Sequence, residues 1–128
     1  MNTQITDTLV SFDTSKLLKE KGFNIKCHYA RFISDSIPVN NETTHNWNLY
    51  PEGYSIPTQS LAQKWLREVH NIHINIKHRP HSQKFSYTIT SKYETENDGE
   101  LYCNIYAKFD TYEQVLEEAL QQALKLIK

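Results

Sequence analysis

Four of the six histidines in this chain fall in one stretch, His70, His73, His78 and His81 within HNIHINIKHRPH. Imidazole is a common ligand for transition metals, but a site needs three or four ligands converging at about 2 Å. The spacing scatters these four. His70 ends a helical pattern, where its charge suits the helix dipole. His73 alternates out of the Ile72, Ile74, Ile76 phase and His78 falls within it. The expectation is solvated or capping histidines and no bound metal. A His-dependent metal enzyme stays as an alternative that needs residues 79–83 to fold back.

Other chemistries fare no better. The acidic run from Glu94 to Glu100 resembles the first half of a calcium loop, but Ile105 stands where a bidentate carboxylate is required, so a solvated turn is expected. Only three glycines, Gly22, Gly53 and Gly99, stand far apart, which removes the glycine-rich loops that cradle nucleotide phosphates. Cys27 and Cys103 lack the CxxC spacing of a zinc knuckle or dithiol site, and Cys103 alternates with aliphatic residues as a core thiol does. GxSxG is absent and no Ser, His and Asp combination stands out, so no catalytic residue and no cofactor are assigned.

The elements that position these residues follow from periodicity. Residues 13–21 read as a short helix, with Asp13 or Thr14 able to cap it, Phe12 to staple onto Leu17 and Gly22 to stop it. Residues 25–33 alternate as a strand, 34–43 read as a loop, and a weaker Asn-rich strand at 44–50 completes a hairpin. From Pro57 to His70, Leu61, Ala62, Trp65, Leu66 and Val69 keep helical spacing, capped by Ser55 or Thr58. Three alternating strands follow: Ile72 to Ile76, Phe85 to Tyr93, and Leu101 to Phe109, the last two joined by a tight turn at Asn97-Asp98-Gly99. Residues 111–127 form a long amphipathic helix with a capping-box pattern at Asp110 and Glu113. The fold class is therefore α+β, in α-β-β-α-β-β-β-α order, with helices packed on one face of an antiparallel sheet. One domain is expected over 1–128, made of an α-β-β part (1–54) and an α-β-β-β-α part (55–128). The last helix carries an apolar arc extended by Leu120 and Leu126, which leaves a homodimer open.

If the aliphatic phases face the helices, the opposite sheet face carries His73, Lys77, Lys84, Lys92, Tyr102 and Tyr106 among amides and threonines. Such a surface suits stacking a base or docking a polypeptide, and these six are the candidate ligand-binding residues. The competing expectation is that the N-terminal half covers this face, with Tyr102 and Tyr106 under Trp47 or Phe32. The formal charge of -1 gives no global field toward nucleic acid or an anionic membrane, so such a partner needs a local patch. The start, MNTQITDTLVSF, lacks a basic then apolar leader and no run suits a membrane span, so no membrane partner is expected and the chain is read as cytoplasmic.

Two resemblances bear on function. From Pro57 onward the element order matches that of double-stranded-RNA-binding domains, with PTQSLAQKWLRE similar in pattern to their first helix. That resemblance implies a nucleic-acid-binding module. Where the family begins its second helix with a lysine cluster this chain reads TYEQVLEEA, which limits the likeness to shape. The blocks SIPTQSLAQKWLREVHNIHI, FDTYEQVLEEALQQALKLI and SFDTSKLLKEKGF resemble small uncharacterised proteins of Bacteroidetes phages and mobile elements. This implies a non-enzymatic phage or prophage accessory protein in a bacterial host cytoplasm, binding a host protein or a small nucleotide signal, with counter-defence as a role.

Overall fold

Helix α3 (Tyr112–Lys125) buries Val115, Leu116, Ala119, Leu120, Ala123 and Leu124 along one stripe at three- and four-residue spacing. The computed structural model describes residues 7–32, 39–91, 100–103 and 108–127, with the backbone alone at 42 and 100–103. The capping box lies one residue later than Asp110 and Glu113. Thr111 Oγ1 accepts from Gln114 N at 3.1 Å, and Gln114 Oε1 accepts from Thr111 N at 3.3 Å. A Thr and a Gln three apart satisfy both orphan amides, which leaves Glu113 free to face the helix dipole.

Helix α1 (Phe12–Glu20) is capped by Ser11, whose hydroxyl accepts from Thr14 N at 3.2 Å, so Asp13 and Thr14 fall inside the first turn. Phe12 is thereby the first helical residue and not a staple preceding the cap. Its ring meets Tyr54 edge-on at 5.0 Å. Gly22 ends the helix at φ +90°, with Phe23 N bonded to Leu18 O at 2.9 Å.

The first sheet contains β1 (Cys27–Phe32), β2 (Val39–His45) and β3 (Gly53–Ser55), in the antiparallel order β2-β1-β3. β1 does pair with the strand that follows it, but that strand begins at Val39, within the 34–43 stretch expected as loop, and ends at His45, while Trp47–Leu49 coil into a 3-10 turn. Asparagine side chains decide this, because they offer the backbone a competing partner. Asn46 Oδ1 accepts from Asn48 N at 3.1 Å, while Asn48 donates to Phe23 O at 2.9 Å and accepts from Ser55 N at 2.9 Å. The unforeseen β3 is too short to alternate visibly. At Gly53 an added Cβ would lie 2.8 Å from Trp47 O, so only glycine fits under that turn.

Helix α2 (Gln59–His70) starts at the Thr58 cap, one residue after Pro57, and stops at Asn71 in the left-handed region, φ 54°. Strands β4 (Ile72–Arg79), β5 (Lys84–Ser91) and β6 (Glu100–Cys103) form the second antiparallel sheet in the order β4-β5-β6. Phe109 extends the pairing beyond β6 through an isolated bridge to Phe85, while the Asn97 to Gly99 turn, the Glu94 to Asp98 part of the acidic run and Ile105 lie outside the described residues. The fold is α+β with helices on sheet, as the periodicities predict. The order gains a strand, α-β-β-β-α-β-β-β-α, and the strands divide into two sheets.

Helices α2 and α3 pack on the Ile72, Ile74, Tyr87 and Ile89 face, and one apolar core runs from Val10 to Ile127. Helix α1 packs on α3 as well, so Leu120 is fully buried and Leu126 partly so. The apolar arc on which self-association was expected is therefore covered from within the chain. A polar knot fastens the three helices. The Glu117 carboxylate accepts from Ser11 N at 3.0 Å, from the Thr14 hydroxyl, and from Gln59 Nε2 at 2.9 Å, and Gln121 Nε2 donates to Thr14 Oγ1 at 3.0 Å. Thr14 and Gln59 are buried, so losing their acceptor strands them without water. Glu117→Ala is expected to lower the unfolding free energy by about 2 kcal/mol in urea titrations, whereas Glu20→Ala at an exposed position changes it by less than about 0.5 kcal/mol.

Candidate ligand-binding face

On the outer face of the second sheet the antiparallel register sets His73 opposite Thr90, Asn75 opposite Thr88, Lys77 opposite Ser86 and Arg79 opposite Lys84. His73, Asn75 and Lys77 are exposed, Thr88, Thr90, Arg79 and Lys84 are partly buried, and Ser86 is buried. The predicted face thus exists with His73, Lys77 and Lys84 on it, and along β4 it is open. Among the described residues α1 is tied to α3 at Glu117 and packs on β3, which sets the described part of the first sheet beside the helices. Trp47 donates its indole N–H to Cys27 O at 2.8 Å, and its ring packs with His45, Phe32 and Tyr50. Tyr102 has its backbone in β6 opposite Ile89, across a register shift that falls between Ile89 and Thr90. Lys92 and Tyr106 lie outside the described residues.

The β4–β5 hairpin carries no acid of its own, although Glu100 of β6 stands opposite Thr90. From Asn71 to Ser91 there is no Asp or Glu, while Lys77, Arg79 and Lys84 are joined by His73, His78 and His81. Lys84 pairs with Asp110, and among the described residues Lys77 and Arg79 make no ion pair. The hairpin tip, Pro80 to Gln83, is exposed and closed by its own bonds. Gln83 N donates to Arg79 O at 2.8 Å, and Gln83 Nε2 to Pro80 O at 2.7 Å, with Gln83 at φ 60°. A local field of this kind attracts polyanions although the whole chain is near neutral.

The histidines diverge as their spacing implies. His70 packs edge-on against Trp65 at 4.7 Å, His73 Nε2 lies 2.8 Å from Asn71 Oδ1, His78 lies 4.9 Å from the Phe85 ring, and His81 is exposed at the tip. Among the described residues no three His, Cys, Asp or Glu side chains come together as a metal site would require.

A second cationic cluster escaped the sequence patterns. The Arg31 guanidinium lies 4.0 Å from the Phe12 ring centroid, with Lys16 at 4.9 Å from the same ring and Lys19 at 4.6 Å from Tyr54. Lys19 Nζ also donates to Tyr50 O at 2.7 Å, Pro51 O at 3.1 Å and Gly53 O at 2.7 Å, and desolvation lowers its pKa. Helical spacing marks these lysines as surface cations, and nothing in it betrays that Lys19 closes a loop some thirty residues away.

Cys27 is buried beside a recess of about 160 Å³ lined also by Leu9, Tyr29, Ile56 and Leu61. Burial pushes its thiol up to about 11, a bond with Ser55 acting in the opposite direction, so it is no nucleophile at neutral pH. Cys103 takes its place in β6 opposite Thr88.

Among the described residues no helix is long and apolar enough to cross a membrane. Comparison with protein-family models, with curated proteins and with solved structures finds no match for this chain. What the described residues define is an α+β architecture with an exposed basic strand, β4, at the edge of its sheet.

The Cys27 shift has a signed consequence. The folded chain holds this proton up to about pH 11, while the unfolded thiol releases it near 9.0, so stability is full below pH 9 and falls as pH rises toward 11. In a Cys103→Ser background, denaturation between pH 8 and 11 should show this decline, and Cys27→Ala should flatten it. A slope unchanged by Cys27→Ala would refute the assignment.

Proposed function

We propose that this chain is a non-enzymatic binding protein that takes an anionic strand of nucleic acid on the β4–β5 hairpin and the open face beside it. The observation that carries the proposal is the acid-free run from Asn71 to Ser91, with Lys77 and Arg79 unpaired by any described acid. Exposed Asn75 and His73 add hydrogen-bonding groups beside those charges. The α-β-β-β-α order from Gln59 to Lys125 supports a shape like that of double-stranded-RNA-binding domains. The acidic first turn of α3 repels phosphate, so the hairpin supplies the grip. The three blocks similar to phage and mobile-element proteins support an accessory role in a bacterial cytoplasm, where the anion is either a strand or a compact nucleotide signal.

Salt dependence separates those two ligands. Fluorescence anisotropy with a labelled RNA duplex and a labelled single strand is expected to give affinity that falls steeply as salt rises from about 50 to 200 mM. Lys77→Ala and Arg79→Ala should each weaken binding across sequences and reduce the salt slope by about one. A shallow slope with displacement by mononucleotides favours the compact signal. No binding to either strand or to mononucleotides at low salt removes the proposal.

A further inference from the structure

Away from the basic hairpin, α2 presents an unfilled apolar recess. Leu61, Lys64, Trp65, Glu68 and Val69 follow one another on a single helical face and, with Ile25, line a recess of about 280 Å³. Val69 is 55% exposed and Ile25 38%, two of the few large apolar side chains left in water. Lys64 and Glu68 flank the recess. They stand four apart on one helix, yet they form no ion pair with each other or with any other described residue. Lysine preceding glutamate is the less favourable order for such a pair within one helix, which is consistent with its absence.

We infer that this face of α2 is the contact of a homodimer, with a second copy of the chain as its occupant. The warrant is charge complementarity under two-fold symmetry. A two-fold axis perpendicular to α2 near Trp65 runs the two helices antiparallel. Passing between Trp65 and Leu66, it sets Lys64 of each copy about one residue from direct opposition to Glu68 of the other, and partly buried Leu61 equally close to Val69, so one patch of mixed sign complements itself twice. A patch one helix wide is smaller than the roughly 800 Å² per partner of standard interfaces, so the association is weak and sensitive to salt. It leaves the β4–β5 hairpin free and stands independently of nucleic-acid binding.

The charges supply the test. Sedimentation velocity of the full chain from about 10 μM to 1 mM is expected to show a monomer–dimer equilibrium. Lys64→Glu puts glutamates against glutamates in its own dimer, and Glu68→Lys puts lysines against lysines, so each variant alone should associate about a hundredfold more weakly. Mixed together, the two variants restore opposite charges at both contacts and should form a heterodimer. The doubly swapped chain carrying Lys64→Glu and Glu68→Lys should dimerise like the parent. Val69→Gln, at an exposed site, should weaken association about tenfold without changing the far-UV spectrum. A parent chain that stays monomeric throughout overturns the inference and leaves the recess to a different protein. Single variants that dimerise as the parent does, or a mixture that stays monomeric, overturn the proposed axis.

Discussion

The arrangement of this molecule depends on one carboxylate. Glu117 stands on α3 where the starts of α1 and α2 converge, and it accepts from Ser11 N, the Thr14 hydroxyl and the Gln59 amide. Thr14 is fully buried and Gln59 nearly so, so neither can exchange this acceptor for water. An unsatisfied buried donor costs about 1–3 kcal/mol, a large fraction of the stability of a chain this size. The two helices can therefore leave α3 only by breaking several bonds together. Because α1 is fastened there and packs on β3, the described part of the first sheet is set beside the helices.

The first sheet is held by a different device. Its strands are short and its alternation weak, and the loop between β2 and β3 is knitted by side chains reaching across it. Trp47 N donates to Ser55 Oγ at 2.9 Å, Asn48 bridges Phe23 and Ser55, and the Lys19 ammonium gathers three carbonyls from residues 50 to 53. The aromatic rings of Phe32, His45, Trp47 and Tyr50 fill the space beside this knit at centroid separations of 5.0 to 6.4 Å. Polar bonds directed at backbone groups here do the work that regular ladders do in the second sheet.

This contrast explains which parts are legible in sequence. The three helices and the strands β4 and β5 carry long runs of regular period, so Leu66, Ile74, Ile89 and Leu120 announce both element type and buried face. The shift of β2 and the existence of β3 follow from where Asn46 and Asn48 find partners, a property of the folded loop and not of any period. Two cap positions move for the same reason, Ser11 and Thr111 winning over their neighbours through bonds to particular amides, while Thr58 is one of the two caps expected for α2. In the candidate site, the period of two suffices to align His73 and Lys77 on the face that also holds Lys84. Whether that face is covered depends on long-range packing of α1, which no local pattern encodes.

Charge ties these levels together. A total of -1 hides a partition in which acid and base have different employments. Glu117 is occupied by helix starts, Glu113 faces the dipole of its own helix, and Asp110 is matched to Lys84 at the foot of the hairpin. Base near α1 is likewise internal, with Lys19 on backbone carbonyls and Arg31 over the Phe12 ring. Among the charges without a described partner are the cations Lys77 and Arg79 on β4, and Lys64 and Glu68 on α2. The basic strand and the mixed-sign helix face each place unmatched charges side by side, so each is a surface on which binding can build. The first has a single sign and suits a polyanion; the second has both signs four residues apart and suits a copy of itself.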